Sequence, residues 1–178
     1  MRKSEARRPN PDHTSWQPDA NVIHQLLLEN ILKDNPVPSA YRISYVANFY
    51  IGPLVANMEK KFKLTRPEWI VLFCLTQQPK LNAQQISSVT GRAKTSIAGA
   101  VKQLQRKKLI TRKIDIFDSR RRVLHLTDAG RSLYKLIISG FIAREADMLA
   151  GLDAGDRRTL IRLLDKIIKS NRSWAKPY

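Results

Sequence analysis

The sequence predicts a mainly α fold with one small β element, an α+β chain, on three observations. Apolar residues recur at helical spacing through most of the length, strict alternation is confined to residues 109–126, and a short helix, tight turn and longer helix precede that alternation. With 178 residues the chain can hide roughly two thirds of its unfolded surface, so one domain or two small ones can stand without cross-links. The single cysteine, Cys74, excludes an internal disulfide framework. Hydrophobic residues make up 43% and charged residues 26%, a globular balance. Yet 32 Lys and Arg against 15 Asp and Glu leave a formal charge of +17, which makes an acidic polymer the first partner to expect. The longest uncharged apolar run, WIVLFCL at 69–75, is too short to span a bilayer. MRKSEARRPNPDHTSW has no apolar stretch behind its basic start and is not expected to be a secretory signal. A cytoplasmic protein in a reducing compartment, with no membrane partner, is the expectation.

Along the chain, residues 1–18 set Pro9, Pro11 and Pro18 among Arg, Asn, Asp and Ser, the composition of a flexible basic arm. Residues 19–35 form an extra N-terminal helix. Its Val22, Ile23, Leu26, Leu27, Leu28, Ile31 and Leu32 occupy too many sides to be left in water, so something must cover it. Asn35-Pro36 stops it, and a second helical pattern runs from Ser39 to Phe62, with Pro53 expected to kink it near Phe49 or break it. Thr65-Arg66-Pro67-Glu68 reads as an N-cap, Pro in the first turn and Glu at the third position of the next helix, which Gln77-Gln78-Pro79 ends. A short helix from about Ala83 to Thr90, a turn at Gly91 and a helix from about Lys94 to Lys107 follow. From Leu109 the period becomes 2: Ile110, Ile114 and Ile116 alternate with polar residues, VLHL at 123–126 is the second strand, and DSRRR at 118–122 is the charged tip between them. Thr127 caps a long helix patterned through Leu133, Leu136, Ile137, Phe141 and Met148. A last helix starts at Asp153 and carries one stripe, Leu160, Leu163, Leu164, Ile167 and Ile168.

The charge is concentrated. Residues 92–122 hold eleven Lys and Arg against Asp115 and Asp118, so +9 of the +17 falls in about a sixth of the chain. A run of this kind is often no more than a solvated face. Its placement argues otherwise: Ile97, Val101 and Leu104 must face the core, which turns Lys94, Thr95, Ser96, Lys102, Gln103 and Arg106 outward. Short hydrogen-bonding residues at a helix N-terminus, with cations beyond them, suit a helix that enters the major groove of double-stranded DNA.

Helix, turn, helix, a hairpin tipped by DSRRR, then LTDAG opening a long helix resemble the winged helix-turn-helix lobe of MarR-type bacterial transcription regulators. Asp118, Arg120, Leu126, Thr127 and Gly130 fall at that family's spacing, LTRPEW resembles its second helix, and the likeness spans about residues 39–170. Ala98-Gly99 stands where relatives often carry larger polar residues, and Lys108 where Gly is common. The resemblance implies a winged lobe at 65–126, a dimerisation helix at 36–64, C-terminal dimerisation helices at 127–171 and a tail at 172–178. It also implies a homodimer, interlocked in part through the 160–168 stripe, on a pseudo-palindromic operator with half-sites roughly 10 bp apart. Arg120 would enter the minor groove, steadied by Asp118, with Arg121 and Arg122 beside it. The extra N-terminal helix is expected to pack on the dimerisation helices. The protein would be associated with the nucleoid and expected to act as a repressor.

Many relatives are released from DNA by small aromatic or carboxylate-bearing ligands. The corresponding surface here would be Arg42, Tyr45, Asn48, Phe49, Arg66 and Trp69, suited to an anionic ring compound or its thioester; Phe49 and Trp69 also read simply as core. Other chemistry finds little support. His13, His24 and His125 have no partner at metal-ligand spacing, and no phosphate loop, nucleophile elbow or paired carboxylates are visible, so neither a metal, a cofactor nor an enzyme is expected. Cys74 sits between Phe73 and Leu75 on an apolar helix and reads as an inert buried thiol. The competing reading is a basic winged-helix module that binds nucleic acid without sequence preference, or mediates protein interactions, with no ligand control.

Overall fold

The computed structural model describes residues 20–115 and 120–170. They form seven helices and a two-stranded antiparallel sheet: α1 (Ala20–Lys33), α2 (Pro38–Phe62), α3 (Arg66–Gln77), α4 (Ala83–Thr90), α5 (Lys94–Arg106), β1 (Ile110–Ile114), β2 (Arg122–Leu126), α6 (Asp128–Met148) and α7 (Ala154–Lys169). The chain divides into two compact units, residues 1–46 and 47–178. The basic arm, the C-terminal tail and Asp118 at the hairpin tip lie outside the described residues.

In the first unit the side chain of Asn35 accepts the Val37 N–H at 2.8 Å and turns the chain between α1 and α2. Arg42 then reaches back, donating to the carbonyls of Pro38 and Leu32 at 3.0 Å each, so it serves the last turn of α1, whose carbonyls lack helical partners. Val22, Ile23, Leu26, Leu27 and Ile31 stay exposed. The cover that this helix requires is not supplied within its own unit.

The second unit has a continuous core. Met58, Leu64, Val71, Leu72, Ile86, Ile97 and Leu104 are fully or almost fully buried, joined by Ile110 and Leu124 from the sheet and Ile137 and Phe141 from α6. β1 and β2 pair from Ile110 opposite Leu126 to Ile114 opposite Arg122, and the Leu124 N–H donates to the Leu81 carbonyl at 2.8 Å, which seats the hairpin on the turn before α4. Thr127 fixes the next element. Its hydroxyl accepts from the Gly130 N–H at 3.0 Å and meets the carbonyls of Lys108 and Leu109. α6 therefore starts hard against β1. A Cβ on Gly130 would stand 2.1 Å from the Leu109 carbonyl oxygen, so only glycine fits there.

Two expectations are altered. Of the kink or break expected at Pro53, the break does not occur, and α2 runs through it as one helix. Proline leaves the Phe49 carbonyl without its helical donor, and Arg144 of α6 fills the gap, donating to the Phe49 carbonyl and, at 2.8 Å, to that of Tyr50. In α6, Ile137 and Phe141 are buried as the stripe predicts, but Leu136 and Met148 are exposed. Cys74 is buried, and burial alone pushes its thiol pKa up, which keeps it in the unreactive protonated form.

Candidate nucleic-acid interface

The helix, turn, helix unit is set by local bonds. Asn82 and Gln85 cap α4 reciprocally at 2.9 Å each, Gly91 closes it in the left-handed region at φ 64°, and the Ser87 hydroxyl donates to the Arg92 carbonyl at 2.7 Å. These bonds aim α5. At about 100° per residue, Thr95, Gly99, Lys102 and Arg106 fall opposite the buried Ile97, Ala100, Val101 and Leu104. Lys94 and Gln103 flank that outer face, and Ser96 sits half-buried at its margin. Ala98 and Gly99 are exposed on it, and a Cβ on Gly99 would meet open space. No side chain caps the N-terminus of α5, where Ala93 holds the capping position, so its first N–H groups are left for solvent or an anion.

Beside this face lies a cleft of about 560 Å³ between the start of α4, α5 and the hairpin. Lys102, Arg112, Arg120, Arg121 and Arg122 line it, with Asn82, Gln84 and Gln105 as neutral donors and no acidic residue among the lining. The structure thus brings Lys102 together with three of the hairpin cations, and adds four polar residues that the sequence reading did not single out. Arg112 was legible only as one cation of the run. On an alternating strand it shares a face with Ile110, which is buried, and Ile114, which is exposed. The local field is positive. Burial, then Lys113 and Lys80, push the pKa of His125 below its ordinary value, and burial followed by Arg92 lowers that of Arg66.

α5 is anchored from behind by a buried carboxylate. Glu68 is 1% exposed; one oxygen accepts the Thr65 N–H at 2.8 Å and its hydroxyl at 2.9 Å, and the other meets the Lys107 ammonium at 2.7 Å. Lys107 also donates to the Lys63 carbonyl at 2.6 Å. The capping residue at the start of α3 therefore doubles as the tether for the end of α5, a role the capping pattern alone does not reveal.

The residues expected to form a ligand surface lie on α2 and in the first turn of α3. Arg42 and Tyr45 belong to the first unit, Asn48 and Phe49 are exposed on α2, and Arg66 is half-buried at the start of α3 within the field of Arg92. Trp69 is 4% exposed and stacks on Phe141 at 4.7 Å and on Tyr134 at 5.4 Å between ring centres, so it is core. It also borders an open pocket of about 330 Å³ between α2, α3 and α6. On α7 no residue is buried: Leu160 and Leu164 are half-covered, while Leu163, Ile167 and Ile168 are exposed along with Ile161. Among the described residues no three His, Cys, Asp or Glu side chains come together as a metal site, and no helix is long and apolar enough to cross a membrane.

Comparison with known proteins agrees with this geometry. Residues 64–122 match the MarR family profile. Among solved structures, a MarR/EmrR family transcriptional regulator from Acinetobacter sp. ADP1 is 26% identical, with a TM-score of 0.65 over 72% of this chain and 91% of that one. The S. aureus MepR–DNA complex is 24% identical, with a TM-score of 0.66 over 77% of this chain and 99% of that one. PcaV from Streptomyces coelicolor, solved with its natural ligand, is 24% identical, with a TM-score of 0.61 over 78% of this chain and 95% of that one. Members of the family are transcriptional regulators and not enzymes. With α3, α4, α5 and the β1–β2 hairpin arranged as described, this chain carries a winged helix-turn-helix lobe whose residues 64–122 match the MarR family and whose fold is similar to that of MarR-family transcriptional regulators.

Proposed function

We propose that the protein is a homodimeric, sequence-specific repressor that binds a pseudo-palindromic operator in double-stranded DNA and is released by a small effector. The observation that carries the DNA reading is the juxtaposition of an uncapped, small-residue α5 face with a cleft holding five cations and no acid. Lys94, Thr95, Ser96, Lys102, Gln103 and Arg106 would meet the major groove, and Arg120 the minor groove, with Asp118, Arg121 and Arg122 completing the wing. Arg112, Asn82 and Gln84 would hold the phosphate strand that passes between helix and wing.

The dimer reading is supported by the uncovered stripe of α7 and by the exposed apolar side chains of α1, which suit burial against a second copy. The effector reading is supported by the open pocket beside Trp69. Binding at that pocket would favour a spacing of the two lobes that does not fit the operator.

Selection of fragmented genomic DNA on the purified protein, in near-physiological salt with competitor, tests the proposal. An inverted repeat shared by the retained fragments is expected, with Arg120→Ala weakening that site by about 1–3 kcal/mol. Retention of all fragments alike, with Arg120→Ala lowering affinity equally for every sequence and reducing the salt slope, would establish nonspecific binding instead.

A further inference from the structure

The pocket beside Trp69 is charged at one point only. Seven of its eight lining residues are aromatic or aliphatic, with rings from Tyr50, Phe73 and Phe141 besides Trp69, and the eighth is Glu145 on α6. The Tyr50 hydroxyl is turned to the Phe141 carbonyl at 3.3 Å. Nothing in the lining offsets the carboxylate. Its sequence neighbour Arg144 is not in the lining; its guanidinium is committed to the Phe49 and Tyr50 carbonyls, the first of which Pro53 has no N–H to serve. Glu145 is exposed and makes no side-chain hydrogen bond or ion pair among the described residues. Burial and the Glu145 charge together hold the Tyr50 phenol above its ordinary pKa, against the pull of Arg144.

We infer that this pocket takes a planar aromatic cation, its rings against the aromatic walls and its positive centre at Glu145. Aromatic ring faces carry negative potential and attract cations, and an unpaired carboxylate at the mouth does the same. An anionic ring would set its charge beside Glu145 with no cation in the lining to receive it. The volume of about 330 Å³ suits two or three fused rings. The chain's +17 charge favours anions at long range, so the selectivity comes from this contact. This reverses the ligand charge that Arg42 and Arg66 suggest in the sequence. Arg42 is committed to two backbone carbonyls of the first unit, and Arg66 is not in the lining.

The inference rests on the effector reading for its regulatory consequence, but not for binding itself. Calorimetric titration of the full chain without DNA uses two probes that share a ring system, (1-naphthylmethyl)trimethylammonium and 1-naphthaleneacetate. The cation is expected to bind at least about tenfold more tightly. Glu145→Gln should cut cation affinity roughly fivefold at unchanged melting temperature, and Phe73→Ala should weaken it about tenfold, which places the site. Equal or tighter binding of the anion, or indifference to Glu145→Gln, would overturn the inference. So would failure of both probes to bind while Phe73→Ala alters the oligomeric state, since a second copy would then fill the pocket. Operator binding separates the two readings: a saturated cation site that leaves operator affinity unchanged removes the effector reading alone, whereas release by the anion only removes the cation site and keeps the effector.

Discussion

The winged lobe and the last helix are built from the same kinds of residue and solve opposite problems. In α3, six of twelve residues are buried, one of them a carboxylate, whereas the sixteen residues of α7 bury none. Both are amphipathic, so propensity does not separate them. The lobe shares one continuous core with α2 and α6 and presents α5 and the hairpin outward. Among the described residues nothing covers the apolar stripe of α7. On the proposed reading, the flank is specified by pattern and would be completed by association with a second copy.

The largest effect should come from breaking the flank. Leu163→Asp with Ile167→Asp places four carboxylates across the proposed two-fold interface. Each removed side chain contributes about 1.5–3 kcal/mol when buried, so the dimer should be lost, with a deficit of about 6 kcal/mol or more. Sedimentation should show monomers, while the melting transition of the lobe survives. Unchanged dimers would place the interface elsewhere.

Next in size is a break inside the lobe that no surface inspection would suggest. Gly130→Ala drives a Cβ into the Leu109 carbonyl, and because the obstacle is backbone, α6 or β1 must move. A loss of about 3 kcal/mol is expected in denaturant unfolding. A loss below about 1 kcal/mol would mean that the junction of hairpin and α6 gives way easily, and the lobe would be less rigid than its packing implies.

Lys107→Met probes the carboxylate that ties α3 to α5. Glu68 would keep its two bonds from Thr65 and lose the ammonium that pairs with it. Removing one partner of a buried pair costs about 3–5 kcal/mol, and because the Lys107 side chain is 33% exposed, water moderates this to about 2 kcal/mol. Pairing it with Glu68→Gln should restore part of the loss. The readout is chemical denaturation of the four proteins of the double-mutant cycle.

The contrast also explains what could be read in the sequence. Where structure follows from adjacent residues, the reading was close: the turn at Gly91, the cap at Thr127 and the helix start at Asp153 are set by caps and breakers acting over three or four positions. The alternation of 110–114 and 122–126 likewise gave both strands. What escaped depends on partners remote in sequence. The continuity of α2 through Pro53 rests on Arg144, the burial of Glu68 rests on Lys107, and the place of Arg112 in the cleft depends on how the hairpin leans on α4. For the effector residues, helical spacing showed only which side chains share a face. It gave no sign that Arg42 would be used by carbonyls, or that Glu145 would line the pocket beside Trp69.

The smallest effect separates stability from function at a single residue. Lys108 follows α5 at φ 58°, a left-handed position where a side chain crowds the backbone and relatives commonly carry Gly. Lys108→Gly removes that crowding but frees the unfolded chain, so a net gain of about 0.5–1 kcal/mol in unfolding free energy is expected. It also removes one cation from the turn between α5 and β1. If that charge meets phosphate, the variant should be the more stable protein and the weaker binder, losing about one counterion from the salt slope of operator binding. A variant that is stabilised and binds with an unchanged slope would show that Lys108 is a tolerated strain with no role at the interface.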